Sequence, residues 1–325
     1  MKTKKVLGMF LAAISVSSLV ACSKPAEPNQ AAVGGNSAQA QGQQASPSAD
    51  FDDSHSITVI SREDGSGTRS AFSELVGVIQ KGEDGTRTDN TSKEAIIANK
   101  TDVMITNVSE DPYAVGYISV GSLPKNGSVR ALLIDGVEAN DENIKNGTYP
   151  IKRPFIVATK IGDADAVTAD FMKYILSDKG QEIVAKEYIA VSETPEAYAS
   201  QKLKGKIVVG GSSSVTPIME KLSEAYMEEN PDVNVEIQMT DSTAGMTGAI
   251  DGSYNIGMSS RDLTEKETAA LAPTIIAQDG IAVIVNPANS TLGLSTEWIR
   301  KVFTGEAPAW DAWADENPIG SISVE

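Results

Sequence analysis

Two short β-branched runs, each followed by a Gly/Ser-rich loop and a helical pattern, constrain the fold of this chain most strongly. Ile57 to Ile60 precedes one such loop and a helix around Ser70 to Val78. Ile207 to Val209 precedes another loop and a helix near Ile218 to Glu229. A later apolar run, Ile281 to Val285, is suited to a buried strand. Strand–helix alternation of this kind predicts an α/β fold with largely parallel sheets.

The first loop, Ser61 to Arg69, has the composition of an anion-binding turn. Small residues let backbone N–H groups approach a ligand closely, and the following helix N-terminus adds unsatisfied donors and partial positive charge. Ser66 and Thr68 add hydroxyls, and Arg62 can offer a bidentate fork to an oxyanion. The alternative is a plain capped turn with Arg62 as a surface charge, and the loop alone leaves both open.

The second loop, Gly210 to Pro217, places three consecutive Ser before a helix, where they can converge on a ligand or simply cap a turn. Two more polar turns, Thr240 to Gly245 and Gly257 to Asp262, each follow an apolar run. Ligands tend to bind at the carboxyl ends of strands in an open α/β sheet. The four donor-rich loops are therefore predicted to surround one ligand. Neither glycine-rich loop has the pattern of a nucleotide-binding motif.

The first residues have the pattern of an export signal. Three Lys precede an apolar run from Val6 to Val20, which is short for a permanent bilayer span. The run ends at Cys22, and this segment resembles a bacterial lipoprotein signal, in which cleavage leaves the Cys as the lipidated, palmitate-bearing N-terminus. A plain signal peptide with a chance Cys is the alternative. We expect a signal peptide at 1–21, a flexible tether at 22–54 and a body at the outer face of the cell membrane.

Composition excludes several classes of protein. The formal net charge of -17 argues against a nucleic-acid coat protein, because phosphate backbones require Lys and Arg surfaces. It does not argue against a small anion, since screening confines surface charge to about 8–10 Å. One Cys and one His exclude a disulfide framework and His-cluster or Cys-rich metal sites. Ser66 has no evident base and His55 lies at the tether boundary, so we expect no catalytic residue, metal or cofactor.

At the loop residues the chain resembles the phosphate-binding proteins of bacterial ABC-type phosphate transporters. The match extends over residues 56–325. It implies an α/β, two-lobe periplasmic-binding-protein-like fold of type II, with a hinge and an interlobe cleft. The resemblance assigns phosphate contacts to the family motif and to the serines of the other three loops: Arg62, Ser66, Gly67, Thr68, Ser213, Ser214, Ser242 and Ser260.

The same resemblance implies a function. It describes a non-enzymatic, lipid-anchored receptor that delivers inorganic phosphate to the permease and ATPase subunits of an ABC transporter, and we expect it to be a monomer. The alternatives are a receptor for sulfate, molybdate or another oxyanion, a phosphatase, or an adhesin or signalling lipoprotein that uses the acidic surface. Competition by sulfate distinguishes a general oxyanion receptor from a phosphate receptor. Turnover of a phosphomonoester distinguishes a phosphatase from a binding protein.

The order of the motifs departs from the family. In most members the Ser-rich loop comes first and the Ser-Gly-Thr loop comes late, whereas here the Ser-Gly-Thr block is first. The layout resembles a circular permutation, which is tolerated when the old termini lie close together. We expect Ile319 to Val324 to lie beside the strand at Ile57 to Ile60. The order assigns residues 55–150 plus 278–325 to one lobe and 151–277 to the other.

A second departure concerns selectivity for phosphate over sulfate. Family members often have an Asp that accepts the proton of phosphate, and that position falls on Ser260 here, followed by Arg261. Asp64 is expected to orient Arg62. Asp279 and Asp241 are the candidate acceptors, unless they only cap turns. Arg261 is a candidate for direct charge in the site.

Overall fold

The computed structural model describes residues 51–82, 86–192 and 194–314, together with Glu316 and Ile319. All of them belong to one compact unit, Ala45–Glu325. The signal peptide, Cys22 and nearly all of the tether lie outside the described residues, as do residues 320–324 of the segment that the permutation prediction concerns. Within the described part of the chain, no helix has the length and apolar character needed to cross a bilayer.

The described residues form fourteen strands and nine helices, with a 3₁₀ turn at Val120–Ser122. The strands are β1 Thr58–Arg62, β2 Ile79–Lys81, β3 Arg87–Asp89, β4 Ile96–Ala98, β5 Ala114–Ser119, β6 Arg130–Ala131, β7 Leu133–Ile134, β8 Lys152–Lys160, β9 Ile189–Ala190, β10 Gly205–Ser212, β11 Val233–Thr240, β12 Ile256–Ser259, β13 Leu271–Val285 and β14 Gly293–Leu294. The helices are α1 Gly67–Leu75, α2 Thr101–Glu110, α3 Asp141–Asn146, α4 Ala166–Leu176, α5 Asp178–Val184, α6 Thr216–Glu229, α7 Ser242–Asp251, α8 Glu265–Thr268 and α9 Thr296–Thr304.

One mixed sheet runs through the whole body in the order β11-β10-β12-β8-β13-β5-β1-β4. The strands β11, β10 and β12 are parallel at one end, and β5, β1 and β4 are parallel at the other. Between them β8 and β13 run antiparallel to their neighbours. The α/β prediction is confirmed, but the sheet is parallel only in its two outer parts.

Two hydrophobic cores lie along this sheet. The first contains Phe72, Tyr117, Val283 and Trp310, with a second layer around Met104 on the other face. The second core is built by a separate set of side chains, which includes Phe155, Ile207, Leu222, Tyr226 and Ile276. We call the part around the first core lobe 1 and the part around the second core lobe 2. The strands β8 and β13 connect them, since β13 pairs with β8 in lobe 2 and with β5 in lobe 1.

Local sequence explains where the helices at the lobe junction begin. Ser66 caps α1 by accepting a hydrogen bond from the Arg69 amide at 3.3 Å. Asp241 caps α7 by accepting from the Ala244 amide at 2.8 Å. Side-chain oxygens at these positions satisfy one of the free amides of the first helical turn. Asp241 directly follows β11, and Ser66 follows β1 after the turn at residues 63–65, so the remaining free amides lie near the carboxyl ends of these strands.

Three elements differ from the sequence prediction. The turn expected at Thr240 to Gly245 is the end of β11 and the first turn of α7. The turn expected at Gly257 to Asp262 begins inside β12. The run Ile281 to Val285 is not a separate strand but the second half of β13, because this one strand continues from lobe 2 into lobe 1.

Candidate anion-binding site

The N-termini of α1, α6 and α7 meet between the two lobes. Thr68 Oγ1 of α1 and Ser214 Oγ, just before α6, are hydrogen-bonded at 2.9 Å. Gly67 lies against α7, so closely that a Cβ there would fall 2.8 Å from Ser260 Oγ and even closer to Ser242 Oγ. The structure therefore brings all four sequence-predicted loops to one place, with Gly67 as the point of closest approach.

The serines of lobe 2 form a buried hydroxyl cluster at this junction. Ser212 Oγ donates to Ser260 Oγ at 2.9 Å, and the Ser260 amide donates to Ser242 Oγ at 3.1 Å. Ser213 Oγ accepts from Arg62 of lobe 1 at 2.9 Å and lies 3.4 Å from Thr101 Oγ1. Ser212, the first of the three consecutive serines in the second loop, belongs to this cluster although it was not among the predicted phosphate contacts. Hydroxyls both donate and accept, so the cluster can satisfy the oxygens of an anion without adding charge.

Arg62 is the charged group that lobe 1 contributes. Its side chain is 1% exposed. The Glu63 carboxylate accepts a hydrogen bond from Nε of Arg62 at 2.7 Å and another from Nη2 at 2.8 Å. With Ser213 also bound to Nη2, only Nη1 has no hydrogen-bond partner among the described residues. A buried guanidinium with one free NH2 group is an incomplete donor set, which an oxyanion can complete.

Arg153 contributes a second buried guanidinium at the junction and was not predicted from the sequence. It lies on β8, is 3% exposed, and its Nε donates to Asp279 Oδ2 at 3.0 Å. Its Nη1 donates to Thr68 Oγ1 at 2.7 Å and to the Ser260 carbonyl at 3.2 Å. Its Nη2 has no partner in the described part of the chain. In the sequence Arg153 lies beside Lys152 at the start of an apolar run, a position typical of a surface charge.

Asp279 is buried beside this arginine, as the counter-charge of the site. Burial raises the pKa of its carboxyl, against the opposing effects of Arg153 and of the hydrogen bond from Ser119. Burial also lowers the pKa of Arg153, and Asp279 opposes that shift. Ser119 Oγ donates to Asp279 Oδ1 at 2.8 Å. The carboxylate therefore has donors on both oxygens.

Two assignments made from the sequence are wrong in this structure. Asp64 does not orient Arg62, because its exposed carboxylate pairs with Arg69 Nη1 at 2.6 Å. Its effect on Arg62 is at most indirect, since the same Nη1 of Arg69 donates to the Arg62 carbonyl at 3.1 Å. Arg261 does not add direct charge to the site, because both of its terminal nitrogens bind the Glu267 carboxylate, at 2.8 and 2.9 Å.

Asp241 lies at the rim of the junction. Besides capping α7, its carboxylate faces Gly65, where a Cβ would meet Oδ1 at 2.6 Å. Gly65 also has a φ of +87°, so the contact and the backbone conformation both require glycine. Thr243, two residues after Asp241, donates its amide and its hydroxyl to the Gly65 carbonyl, at 3.2 and 3.1 Å. This contact joins the rims of the two lobes.

The arrangement suits binding better than catalysis. Within the described ranges, no group of three or more His, Cys, Asp or Glu side chains is arranged to hold a metal ion. The one histidine, His55, stacks on Tyr113 with ring centroids 3.7 Å apart, and its Nδ1 lies 3.0 Å from the Ser56 carbonyl. The nearby hydroxyls contact each other and the two arginines. The site offers charge-assisted donors and hydroxyls from both lobes, which is the chemistry of oxyanion recognition.

Comparison with known proteins identifies relatives along nearly the whole chain. The family model described as a PBP superfamily domain matches residues 43–179 and 196–324. A phosphate-binding protein PstS 2 of Streptococcus agalactiae serotype V is 49% identical over 255 residues, which cover 78% of this chain and 86% of the relative. A phosphate-binding protein PstS 2 of Streptococcus pneumoniae serotype 4 is 42% identical over 313 residues, covering 96% and 99%.

A solved structure shows the same fold. The crystal structure of a phosphate ABC transporter, phosphate-binding protein from Streptococcus pneumoniae TIGR4, matches with a TM-score of 0.64 and 43% sequence identity. The match covers 79% of this chain and 99% of that chain. The two-lobe architecture is therefore shared with this protein.

Proposed function

Since this chain belongs to the PBP superfamily of two-lobe binding proteins, we propose that it binds inorganic phosphate between its lobes. The proposal also draws on its relatives, which are named as phosphate-binding PstS proteins. We propose further that it delivers phosphate, without chemical change, to the permease and ATPase subunits of an ABC transporter. The sequence-predicted contacts of Arg62, Thr68 and the serines are the proposed ligand shell.

One observation carries this proposal, namely the free NH2 group on buried Arg62 beside a cluster of hydroxyls. A buried donor without a partner costs free energy, so a ligand that accepts from it recovers that cost. Tetrahedral oxyanions present several acceptor oxygens at once, which fits convergent donors from both lobes. Such a ligand stabilises the state in which the lobes are closed over it.

The lobes are proposed to hinge where β8 and β13 pass between the two cores. On this proposal residues 55–150 plus 278–325 move against residues 151–277, with the changes near residues 150 and 278. The side chains of the two hydrophobic cores support this division, because the buried members of the first core lie at or before Ile151 or at or after Ile281, and of the segment between them only the partly buried Ile189 packs against that core. Small-angle scattering tests it, since phosphate is expected to decrease the radius of gyration.

Calorimetry with the full chain in mild detergent tests phosphate binding. Arg62→Ala is expected to weaken binding at least tenfold, because a charge-assisted hydrogen bond contributes about 1.5–3 kcal/mol. Arg300→Ala is the matched control, since Arg300 pairs with Glu306 on the surface and is expected to leave affinity unchanged. Unchanged affinity of Arg62→Ala would contradict the proposal.

Competition titration decides which oxyanion is bound. Both oxygens of Asp279 accept hydrogen bonds from Arg153 and Ser119, so Asp241 is the proposed carboxylate that favours a ligand still carrying a proton, and fully ionised sulfate has none. We therefore expect sulfate or molybdate to displace phosphate only at much higher concentration. Equal displacement by sulfate would favour the general oxyanion receptor. Turnover of a phosphomonoester that is lost in Ser66→Ala would favour the phosphatase.

Membrane anchoring through Cys22 stays a prediction, because this residue lies outside the described part. Cys22→Ser in the expressed full chain is expected to abolish labelling by radioactive palmitate and to release the protein from the membrane fraction. Retention of both label and membrane association in this variant would contradict lipidation at Cys22. Gel filtration with light scattering tests the expected monomer.

The permuted motif order also stays a prediction. It is supported by the two ends of the body, which lie side by side. The Ile57 amide donates to the Pro308 carbonyl at 2.8 Å, and Ser56 and Ala309 form an antiparallel bridge. An experimental structure that places residues 319–324 away from β1 would refute it.

A further inference from the structure

We propose that Arg153 is a second ligand-binding arginine of this site and that Asp279 is the positioning residue that aims it. The inference rests on the proposed anion-binding function. It assigns the ligand two guanidinium groups, one from Arg62 at the end of β1 in lobe 1 and one from Arg153 on β8, which connects the lobes together with β13. Neither the motif of the first loop nor the serines of lobe 2 point to this residue.

The donors of Arg153 are fully accounted for except at one nitrogen. An arginine has five N–H donors. Nε donates to Asp279 Oδ2, and Nη1 donates to Thr68 Oγ1 and the Ser260 carbonyl. The two hydrogens of Nη2 have no acceptor among the described residues, although the side chain is 3% exposed. Thr68 and Ser260 are themselves proposed ligand contacts, so this guanidinium lies against the ligand shell.

Arg62 has the same donor pattern. Its Nε and Nη2 are bound to Glu63 and Ser213, and its Nη1 has no acceptor in the described chain. The two guanidinium groups are close enough that the charge of Arg62 contributes to lowering the pKa of Arg153. Two buried like charges near each other are unfavourable, and an anion that accepts from both removes that repulsion.

Asp279 fixes the direction of Arg153 through sheet register. The two residues are directly opposite partners on the antiparallel strands β13 and β8. Ser119 on β5 holds the other carboxylate oxygen at 2.8 Å. The ring of Phe155 covers the guanidinium at 5.3 Å from its centroid. Residues of three adjacent strands therefore fix the position of the guanidinium. As a result Nη2 has one orientation before the ligand binds.

The two ion pairs also set the charge of the site. Glu63 balances Arg62 and Asp279 balances Arg153, so the four groups sum to zero. The ligand thus contacts guanidinium NH2 groups while the carboxylates lie behind them. This arrangement binds an anion through directed donors and not through a net positive field, which is consistent with the overall charge of -17.

Calorimetric titration of the full chain in mild detergent with inorganic phosphate tests the assignment. Arg153→Met is expected to weaken phosphate binding at least tenfold, and Arg153→Lys by a smaller factor, because a compact ammonium cannot serve Asp279 and the ligand together. Arg130→Met is the matched control. Arg130 is a half-buried arginine whose Nη2 donates to two carbonyls, of Asn289 and Thr291, so its loss is expected to lower the melting temperature and leave affinity unchanged.

The outcomes separate this inference from the function it rests on. If the wild type binds no phosphate, the proposed function itself fails. If the wild type binds and Arg62→Ala does not, while Arg153→Met or Arg153→Lys retains wild-type affinity, the assignment of Arg153 is overturned and the function stands. Should Arg153→Met not fold, Arg153→Lys alone gives the result.

A double-mutant cycle tests the role of Asp279. If Asp279 acts through Arg153, then Asp279→Asn weakens phosphate binding in the wild-type background but adds no further loss to Arg153→Met. Losses that add in full would overturn the positioning role, because a general structural effect of Asp279 does not depend on Arg153.

Discussion

Replacing Gly67 by Ala tests whether the lobes close over the ligand as the structure has them. Gly67 is the first residue of α1 and is buried between the lobes. An added Cβ falls 2.8 Å from Ser260 Oγ and closer still to Ser242 Oγ. Both hydroxyls belong to lobe 2 and to the proposed ligand shell, so the methyl group and the closed interface compete for the same space.

Two effects of opposite sign make this substitution informative. Within α1 alone, Ala is a better helix former than Gly by at most about 1 kcal/mol, so the unliganded protein is not expected to lose stability. In the closed state the methyl group overpacks a buried contact, which costs about 1–3 kcal/mol. Because about 1.36 kcal/mol corresponds to tenfold, phosphate affinity is expected to fall by about fivefold to 160-fold.

Titration calorimetry and thermal melting with and without phosphate measure both effects. Ser70→Ala, on the same helix and outside the closed contact, is the matched control and is expected to leave affinity unchanged. The expected signature is an unchanged or slightly raised melting temperature without ligand, together with weaker phosphate binding. Wild-type affinity in Gly67→Ala would refute the reasoning, since it would mean that the ligand is bound without this approach of α1 to α7.

Three further substitutions test other parts of the structure. Thr243→Val removes the hydroxyl that bonds the Gly65 carbonyl across the rim, and calorimetry is expected to show binding weaker by about two- to threefold, the low end for a partly exposed hydrogen bond. Trp310→Ala removes a 1%-exposed ring from the first core and should lower the free energy of unfolding by about 3–5 kcal/mol, measured by denaturant titration. Burial alone would raise the pKa of the Glu267 carboxyl, but the hydrogen bonds from Arg261 and Thr264 outweigh burial and hold that pKa below its usual range. The ionised Glu267 therefore adds to the free energy of unfolding above about pH 4.3, and this contribution is lost as the pH falls through the native pKa. Denaturant titration should show that Glu267→Gln is less stable than the wild type at pH 7 and loses less of its stability on acidification.

In the first loop, the sequence predicts the secondary structure but not every side-chain contact. Its strand, its glycines and its serine cap act over neighbouring residues, so β1 and α1 could be placed to within a few residues. The salt-bridge partner of Asp64 could not be predicted in the same way. Arg62 and Arg69 are both near it in sequence, and only the folded backbone shows that its carboxylate reaches Arg69. Local preference fixes the element, but not the direction of a long side chain on it.

The alternation of short strands, small-residue loops and helices by itself determined the α/β class, the four loops and the kind of ligand they favour. These follow from local backbone preferences and from donors carried by nearby residues. Only the tertiary structure decided that one long strand, β13, joins the two cores, and that Asp279 on this strand pairs with Arg153 on the neighbouring strand β8. These partners are 126 residues apart, and an arginine beside Lys152 at the start of a strand gives no local sign of its partner. The register of the sheet brings the two charges together, because burial permits them only as a pair.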